Sequence, residues 1–365
     1  MKIGLMTIHH AYNFGAMLQA YATFKVINEM GHDVEFIDYD NETFAGERKI
    51  FLPCNSVGNI LRNFRSLLQF KQLKERVKRY EAFYQKLNVS KSKYNRNNIN
   101  SVKGYDLVIT GSDQTFSLYL TNNPADIRPF FLKDVNCSKK ISYASSMGEK
   151  FYKLKQGDDI WMKECLADFR HISVREKGSA DYIEKLTGKR PAVVLDPTLL
   201  RSADQWNLDS EESNYAKGDY IAFYTVLSEP WVIKYVEKFA KDTGLKVIAM
   251  HPRTRYEMRA NFNYVGALGP SEFLTIIKNA KYVITTSFHA TSFSIIFQKQ
   301  FVSLKIGEGN RLSSLLNQLC LVKQLICEND MDFSVLLDPI DFSMPQELLN
   351  KEKLASMNYL RNSIM

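Results

Sequence analysis

The chain has 365 residues, 45% hydrophobic and 24% charged; it is too long for one ordinary core and too apolar to be disordered or fibrous. No apolar run reaches the roughly 18–20 residues of a membrane span. The first eight residues read as a strand rather than a signal peptide, so a cytoplasmic protein is expected. The net charge of +8 is localised: residues 58–93 hold ten basic and two acidic side chains, which leaves the rest of the chain neutral.

In chain order, a strand at 2–8 enters the loop His9 to Ala16. A helix with apolar positions at three- and four-residue spacing follows, stopped by Gly31, and then a strand at 34–39. The basic segment comes next. Its apolar residues Ile60, Leu61, Phe64, Leu67, Leu68, then Leu73, Val77, Tyr80, Tyr84 and Leu87, recur at helical spacing, which predicts an inserted pair of amphipathic helices. Strands are predicted at 106–111, 140–145, 171–175 and 192–196, with helices near 158–169 and 179–186. A polar stretch, 201–218, reads as a linker. Strands at 220–226, 246–250, 282–286 and 301–304 then alternate with helices at 230–242, 270–280, 290–297 and 311–321, and a last helix covers 345–364.

Short apolar runs alternating with helices predict parallel sheets covered on both faces. The expected architecture is α/β: two doubly wound, Rossmann-like domains facing a cleft. They are an N-terminal domain at 1–200 with a helical basic insertion at about 47–103, and a C-terminal domain at 219–340. Residues 341–365 form a helix packing back on the first domain. The five cysteines (Cys54, Cys137, Cys165, Cys320, Cys327) form no C-x-x-C pair and have no histidine at zinc spacing, so they read as buried free thiols and no metal is expected.

Ligands of such sheets bind beyond the carboxyl ends of the strands, and five strand ends carry polar residues. Asn13, Gly15 and Ala16 open a helix where backbone amides can meet an anion, or where Asn13 simply caps it. Ser112, Asp113 and Gln114 follow a buried strand; Asp113 can serve sugar hydroxyls or a base's role, or cap a turn. Arg175 can hold a carboxylate or phosphate, or pair with a neighbouring Glu. Ser287-Phe288-His289 ends a β-branched strand, and its imidazole stands out among the six histidines as a proton-transfer candidate. Glu308 and Arg311 lie in a glycine-rich loop before a helix.

These pieces, in this order, resemble the polysaccharide pyruvyl transferase family. The phrases are N-F-G-A-M-L-Q-A-Y-A (13–22), G-S-D-Q (111–114), I-S-Y-A-S-S-M-G (141–148), S-V-R-E (173–176), V-L-D-P-T-L-L (194–200) and N-A-K-Y-V-I-T-T-S-F-H-A (279–290). The resemblance implies a GT-B-like fold and transfer of pyruvate from phosphoenolpyruvate to a sugar as a cyclic ketal, in capsule, exopolysaccharide or cell-wall synthesis. It gives His289 the general acid's role and Asp113 that of orienting or deprotonating the acceptor. Arg175, Arg311, Ser287, Asn13, Gly15 and Ala16 are assigned to the donor, and Ser112, Gln114 and Glu308 to the acceptor. Phosphoenolpyruvate is a co-substrate, and neither cofactor nor metal is implied. Some members have Arg-Leu-His where this chain has Ser287-Phe288-His289; if that Arg binds the donor in them, this chain is expected to use another cation, Arg311 or Arg253, or a different donor. The acceptor is expected to be a sugar, lipid-diphosphate-linked or polymeric, with residues 58–93 touching anionic membrane at its inner face; no nucleic-acid partner is expected. The competing readings are a nucleotide-sugar glycosyltransferase of the same architecture and a non-catalytic glycan-binding relative.

Overall fold

The computed structural model describes residues 1–121, 123–148, 154–226, 229–250, 262–307, 310–330 and 332–365. The first domain runs β1 (Lys2–Met6), α1 (Phe14–Glu29), β2 (Asp33–Tyr39), α2 (Glu42–Arg48), α3 (Val57–Leu68), α4 (Phe70–Tyr84), β3 (Val89–Tyr94), β4 (Leu107–Thr110), β5 (Lys140–Ser142), α5 (Gln156–Ala167), β6 (Ser173–Val174), α6 (Lys177–Thr187) and β7 (Ala192–Val193). After α7 (Ala203–Asp209) the second domain runs β8 (Tyr220–Tyr224), α8 (Pro230–Thr243), β9 (Lys246–Met250), β10 (Asn263–Val265), α9 (Pro270–Asn279), β11 (Tyr282–Thr285), α10 (Phe288–Ile296), β12 (Gln300–Leu304), α11 (Asn310–Gln318), β13 (Leu325–Ile326) and α12 (Ser334–Leu337). The long α13 (Ser343–Ile364) closes the chain.

Both sheets are parallel and doubly wound. The first has the order β3-β2-β1-β4-β5, and bridges from Ile141 to His171 and from Ser145 to Val174 carry it on to β6 and β7. The second has the order β10-β9-β8-β11-β12-β13. In each, the chain starts in the middle, winds outward, and returns to the other side of its first strand. The switch points therefore lie between β1 and β4, and between β8 and β11, where such folds form ligand crevices.

The helices between the sheets are apolar almost all round, the mark of a helix buried on every side. Twelve of the sixteen residues of α1 are buried, as are all nine of α10. Phe14 of α1 stacks on Phe273 of α9 with centroids 4.6 Å apart and meets Tyr224 of β8 at 5.5 Å, so one continuous core joins the two domains. Gln19 ties α1 to the end of β1, donating to Thr7 Oγ1 at 3.1 Å and to Ala16 O at 3.0 Å. In α13, Ser356 Oγ accepts from Leu195 N at 3.0 Å on the first domain, while Gln318 Nε2 of α11 donates to Glu352 at 2.8 Å.

Several expectations need correction. The basic insertion is not wholly helical, because Val89–Tyr94 forms β3 at the sheet's edge, where lysines are tolerated. The stretch 201–218 holds α7, started by a capping box of Ser202 and Gln205. Trp206 of that helix is fully buried, donates its indole N–H to Thr198 O at 3.0 Å and meets Phe293 of α10 edge-on at 5.0 Å. The cysteines are free, but only Cys165 is buried; Cys54, Cys320 and Cys327 are exposed. Among the described residues, no helix is long and apolar enough to cross a membrane.

Trp206→Ala is expected to cost about 3–5 kcal/mol in urea denaturation, the usual range for truncating a buried tryptophan. Leu208→Ala, two residues on and 88% exposed, should stay within about 0.5 kcal/mol of wild type. Equal effects would show that α7 is not anchored by its indole.

Candidate active site

The two switch points face one another across a cleft of about 230 Å³. One wall comes from the first domain: Ile8, Asn13, Ala16, Asp113 and Gln114, with Thr43, Phe44 and Glu47 from α2. The other is the carboxyl end of β11 and the start of α10, namely Thr286, Ser287, Phe288 and His289, joined by Arg311 of α11. Two helix N-termini therefore open on the cleft. Asn13 caps α1 by accepting from Ala16 N at 3.2 Å, and Ser287 caps α10 by accepting from Ala290 N at 3.5 Å. Each end carries amide donors and the positive end of a helix dipole, a setting that favours anions.

Beneath the cleft lies Asp196, fully buried after β7. Its Oδ1 accepts from Thr198 N at 3.0 Å and from Thr198 Oγ1 at 2.7 Å. Its Oδ2 accepts from Arg175 Nη1 at 2.8 Å, lies 3.0 Å from Ser112 Oγ, and makes an ionic contact with His289 Nε2 at 3.6 Å. Burial alone would raise the pKa of this carboxyl. The pairing with His289, then Arg175 and the bonds from Thr198, reverse that effect and hold it well below the usual carboxylate range.

Arg175 is enclosed by three carboxylates. Besides Asp196 it reaches Asp113 Oδ1 at 3.2 Å and Glu176 Oε2 at 3.6 Å, and its guanidinium lies 4.5 Å from the ring centre of Phe288. Burial raises the pKa of Glu176, against the opposing pull of Arg175. Asp113 takes a left-handed backbone (φ 71°), which aspartate tolerates better than most residues. It holds Arg175 and also lines the cleft.

Gly15 has a different role from its neighbours. A β-carbon there would sit 2.1 Å from His289 Nδ1 and 2.6 Å from its Cγ. The imidazole rests directly on the first turn of α1, a seat that only glycine leaves open.

The structure thus brings His289, Asp113, Gln114, Asn13, Ala16, Ser287 and Arg311 to one cleft. It places others beneath or behind it. Arg175 is wholly buried and committed to carboxylates, Ser112 turns its hydroxyl inward to Asp196 and Ala144 O, and Gly15 lies under the imidazole. Glu308 and Arg253 fall outside the described residues. Sequence reasoning missed Asp196, although an aspartate closing the apolar run Val193-Val194-Leu195 was a readable signal. It also missed Thr43, Phe44 and Glu47, whose short helix gave no periodic pattern. Among the described residues, no group of three His, Cys, Asp or Glu side chains is arranged to hold a metal ion.

The family model of polysaccharide pyruvyl transferase matches residues 13–307. The chain belongs to this family. The family's motifs then acquire a common purpose, because four of them meet at one carboxylate and a fifth seats the histidine beside it. V-L-D-P-T supplies Asp196 and Thr198, G-S-D-Q supplies Ser112, S-V-R-E supplies Arg175, S-F-H-A supplies His289, and N-F-G-A seats the imidazole. No curated protein matches the sequence significantly. Among solved structures, the UDP-GlcNAc 2-epimerase of Methanocaldococcus jannaschii, in complex with UDP-GlcNAc and UDP, aligns over 99% of both chains at 12% identity with a TM-score of 0.54. A putative UDP-N-acetylglucosamine 2-epimerase from Listeria monocytogenes aligns over 98% of this chain and 94% of its own, at 9% identity and a TM-score of 0.55. At such identities the likeness establishes the GT-B-like fold of this family member and nothing about its ligands.

Asp196→Asn is expected to destabilise the protein by about 3–5 kcal/mol at neutral pH, because it leaves Arg175 and His289 short of a buried counter-charge. A carboxyl whose folded pKa is depressed adds stability above its unfolded pKa and loses it as pH falls toward the folded value. The gap between wild type and variant should therefore narrow below about pH 4, followed by denaturant titration across pH. A constant gap would mean that the Asp196 charge is not what stabilises the fold.

Proposed function

We propose that this protein transfers pyruvate from phosphoenolpyruvate to two hydroxyls of a sugar, forming a cyclic ketal on a capsule, exopolysaccharide or cell-wall glycan. The reading rests chiefly on one observation: His289, in a family of pyruvyl transferases, stands at the rim of the cleft with an ionised carboxylate behind it.

In this reading, the phosphate and carboxylate of phosphoenolpyruvate lie against Arg311 and the amide ends of α1 and α10. With His289 Nε2 turned to Asp196, Nδ1 is the nitrogen that serves the substrate. It gives its proton to the methylene carbon, and positive character develops at the adjacent carbon. Asp196 is the counter-charge to the imidazolium, in the manner of a triad aspartate. One sugar hydroxyl attacks that carbon and gives up its proton. The second hydroxyl then displaces inorganic phosphate and closes the ketal. Asp113 faces the incoming hydroxyls, with Gln114, Glu47 and Thr43 lining the cleft around the sugar. Arg175, placed in the sequence reading at the donor, here fixes Asp113 and Asp196 instead. The acceptor's linkage to a lipid diphosphate and a position at the inner membrane face belong to the same proposal.

Lipid-linked glycans incubated with the protein and phosphoenolpyruvate should gain the mass of pyruvate less one water. His289→Ala should slow this by about 10²–10⁴-fold, the span of general acid catalysis. Gly15→Ala should slow it about 100-fold by displacing the imidazole, and should lower the thermal midpoint because the added methyl overpacks a buried contact. Stabilisation by nucleotide sugars and not by phosphoenolpyruvate in thermal-shift titration would point to a glycosyltransferase instead. Ketal formation unaffected by His289→Ala would remove the proton donor assigned here.

A further inference from the structure

Helix α3 is turned the wrong way round for a helix packed on a soluble domain. Val57, Ile60, Leu61, Phe64, Leu67 and Leu68 fall at three- and four-residue spacing and form one stripe, yet each is 51–74% exposed. The inward side is polar: Ser66 is buried, and Asn59, Arg62, Asn63 and Gln69 are half-buried. This rotation is fixed by hydrogen bonds. Asn63 accepts from Leu52 N and donates to Leu52 O, both at 2.8 Å, and Asn59 Nδ2 donates to Pro53 O at 2.9 Å. Phe51 and Phe70, also exposed, stack on each other at 5.9 Å and lengthen the apolar face. Helix α4 behaves conventionally, with Tyr80 and Phe83 packed inward.

So large a contiguous apolar surface is rare on a protein surface without a partner. Its charge identifies the partner's chemistry. Residues 49–74 contain five basic side chains (Lys49, Arg62, Arg65, Lys71, Lys74) and not one acidic side chain. An apolar stripe in a cationic frame suits a helix lying in the plane of an anionic bilayer, with its apolar side in the headgroup and acyl boundary. A second copy of the chain fits poorly, since a two-fold contact would bring two such cationic frames together.

We infer that α3 is a membrane-docking helix for anionic lipid. It sits where docking serves the cleft. The preceding α2 lines the cleft with Thr43, Phe44 and Glu47, and Arg76 of the following α4 donates to Tyr12 O, beside Asn13, at 2.6 Å. The inference depends on the helix and its charge, not on the pyruvyl reading.

The test is sedimentation with vesicles of phosphatidylcholine alone or mixed with phosphatidylglycerol. The full chain should bind the mixed vesicles, bind the neutral ones weakly, and be released by high salt. Phe64→Glu combined with Leu68→Glu should lower binding at least about tenfold, and Lys71→Gln and Lys74→Gln about fivefold each. These residues are exposed, so thermal midpoints and pyruvyl transfer to a water-soluble acceptor should stay at wild-type values. Absence of binding to mixed vesicles, or equal binding by the Phe64/Leu68 variant, overturns the inference. So does a wild-type dimer, seen by sedimentation velocity, that this variant splits without any vesicle binding.

Discussion

A charge without water must be matched by its neighbours, and the buried carboxylate of Asp196 sets that condition for the whole site. Removing such a group from solvent is expensive unless its oxygens are saturated by donors and opposite charge. Thr198, Ser112, Arg175 and His289 supply that match, and they come from segments as far apart as residues 112 and 289. Arg175 in turn needs Asp113 and Glu176, and Asp113, in a left-handed backbone conformation, also lines the cleft. The polar network beneath the site and the reactive groups at its surface are therefore one electrostatic unit.

The starts of α1 and α10, each of which favours an anion, face one another across the cleft, with Arg311 beside α10. Asp113, Glu47 and Gln114 share the first wall with the start of α1, and His289 stands opposite them at the start of α10.

Much of the fold was legible because parallel strands covered on both faces read as plain apolar runs, and their ends mark the switch points. Four of the five strand ends singled out by sequence contribute side chains to one cleft, while Arg175 lies beneath it. What sequence could not show is depth. Arg175 and Asp113 both end buried strands, yet Arg175 lies beneath the cleft among Asp196, Asp113 and Glu176, while Asp113 lines it. Gly15 looked like part of an anion-binding turn because the imidazole resting on it is 274 residues away. Helical spacing likewise revealed the stripe on α3 but not the direction it faces, and the lysines of β3 concealed an edge strand within a cationic stretch.

The contact between Gly15 and His289 bears on how this family can be recombined. The histidine belongs to the second domain and its seat to the first, and the aromatic core around Phe14 and Phe273 is shared in the same way. A chimera that exchanges whole second domains between relatives would give each imidazole a foreign helix to rest on. Hybrids that carry α1 along with α9 and α10 keep the pair together, so the packing unit cuts across the domain boundary.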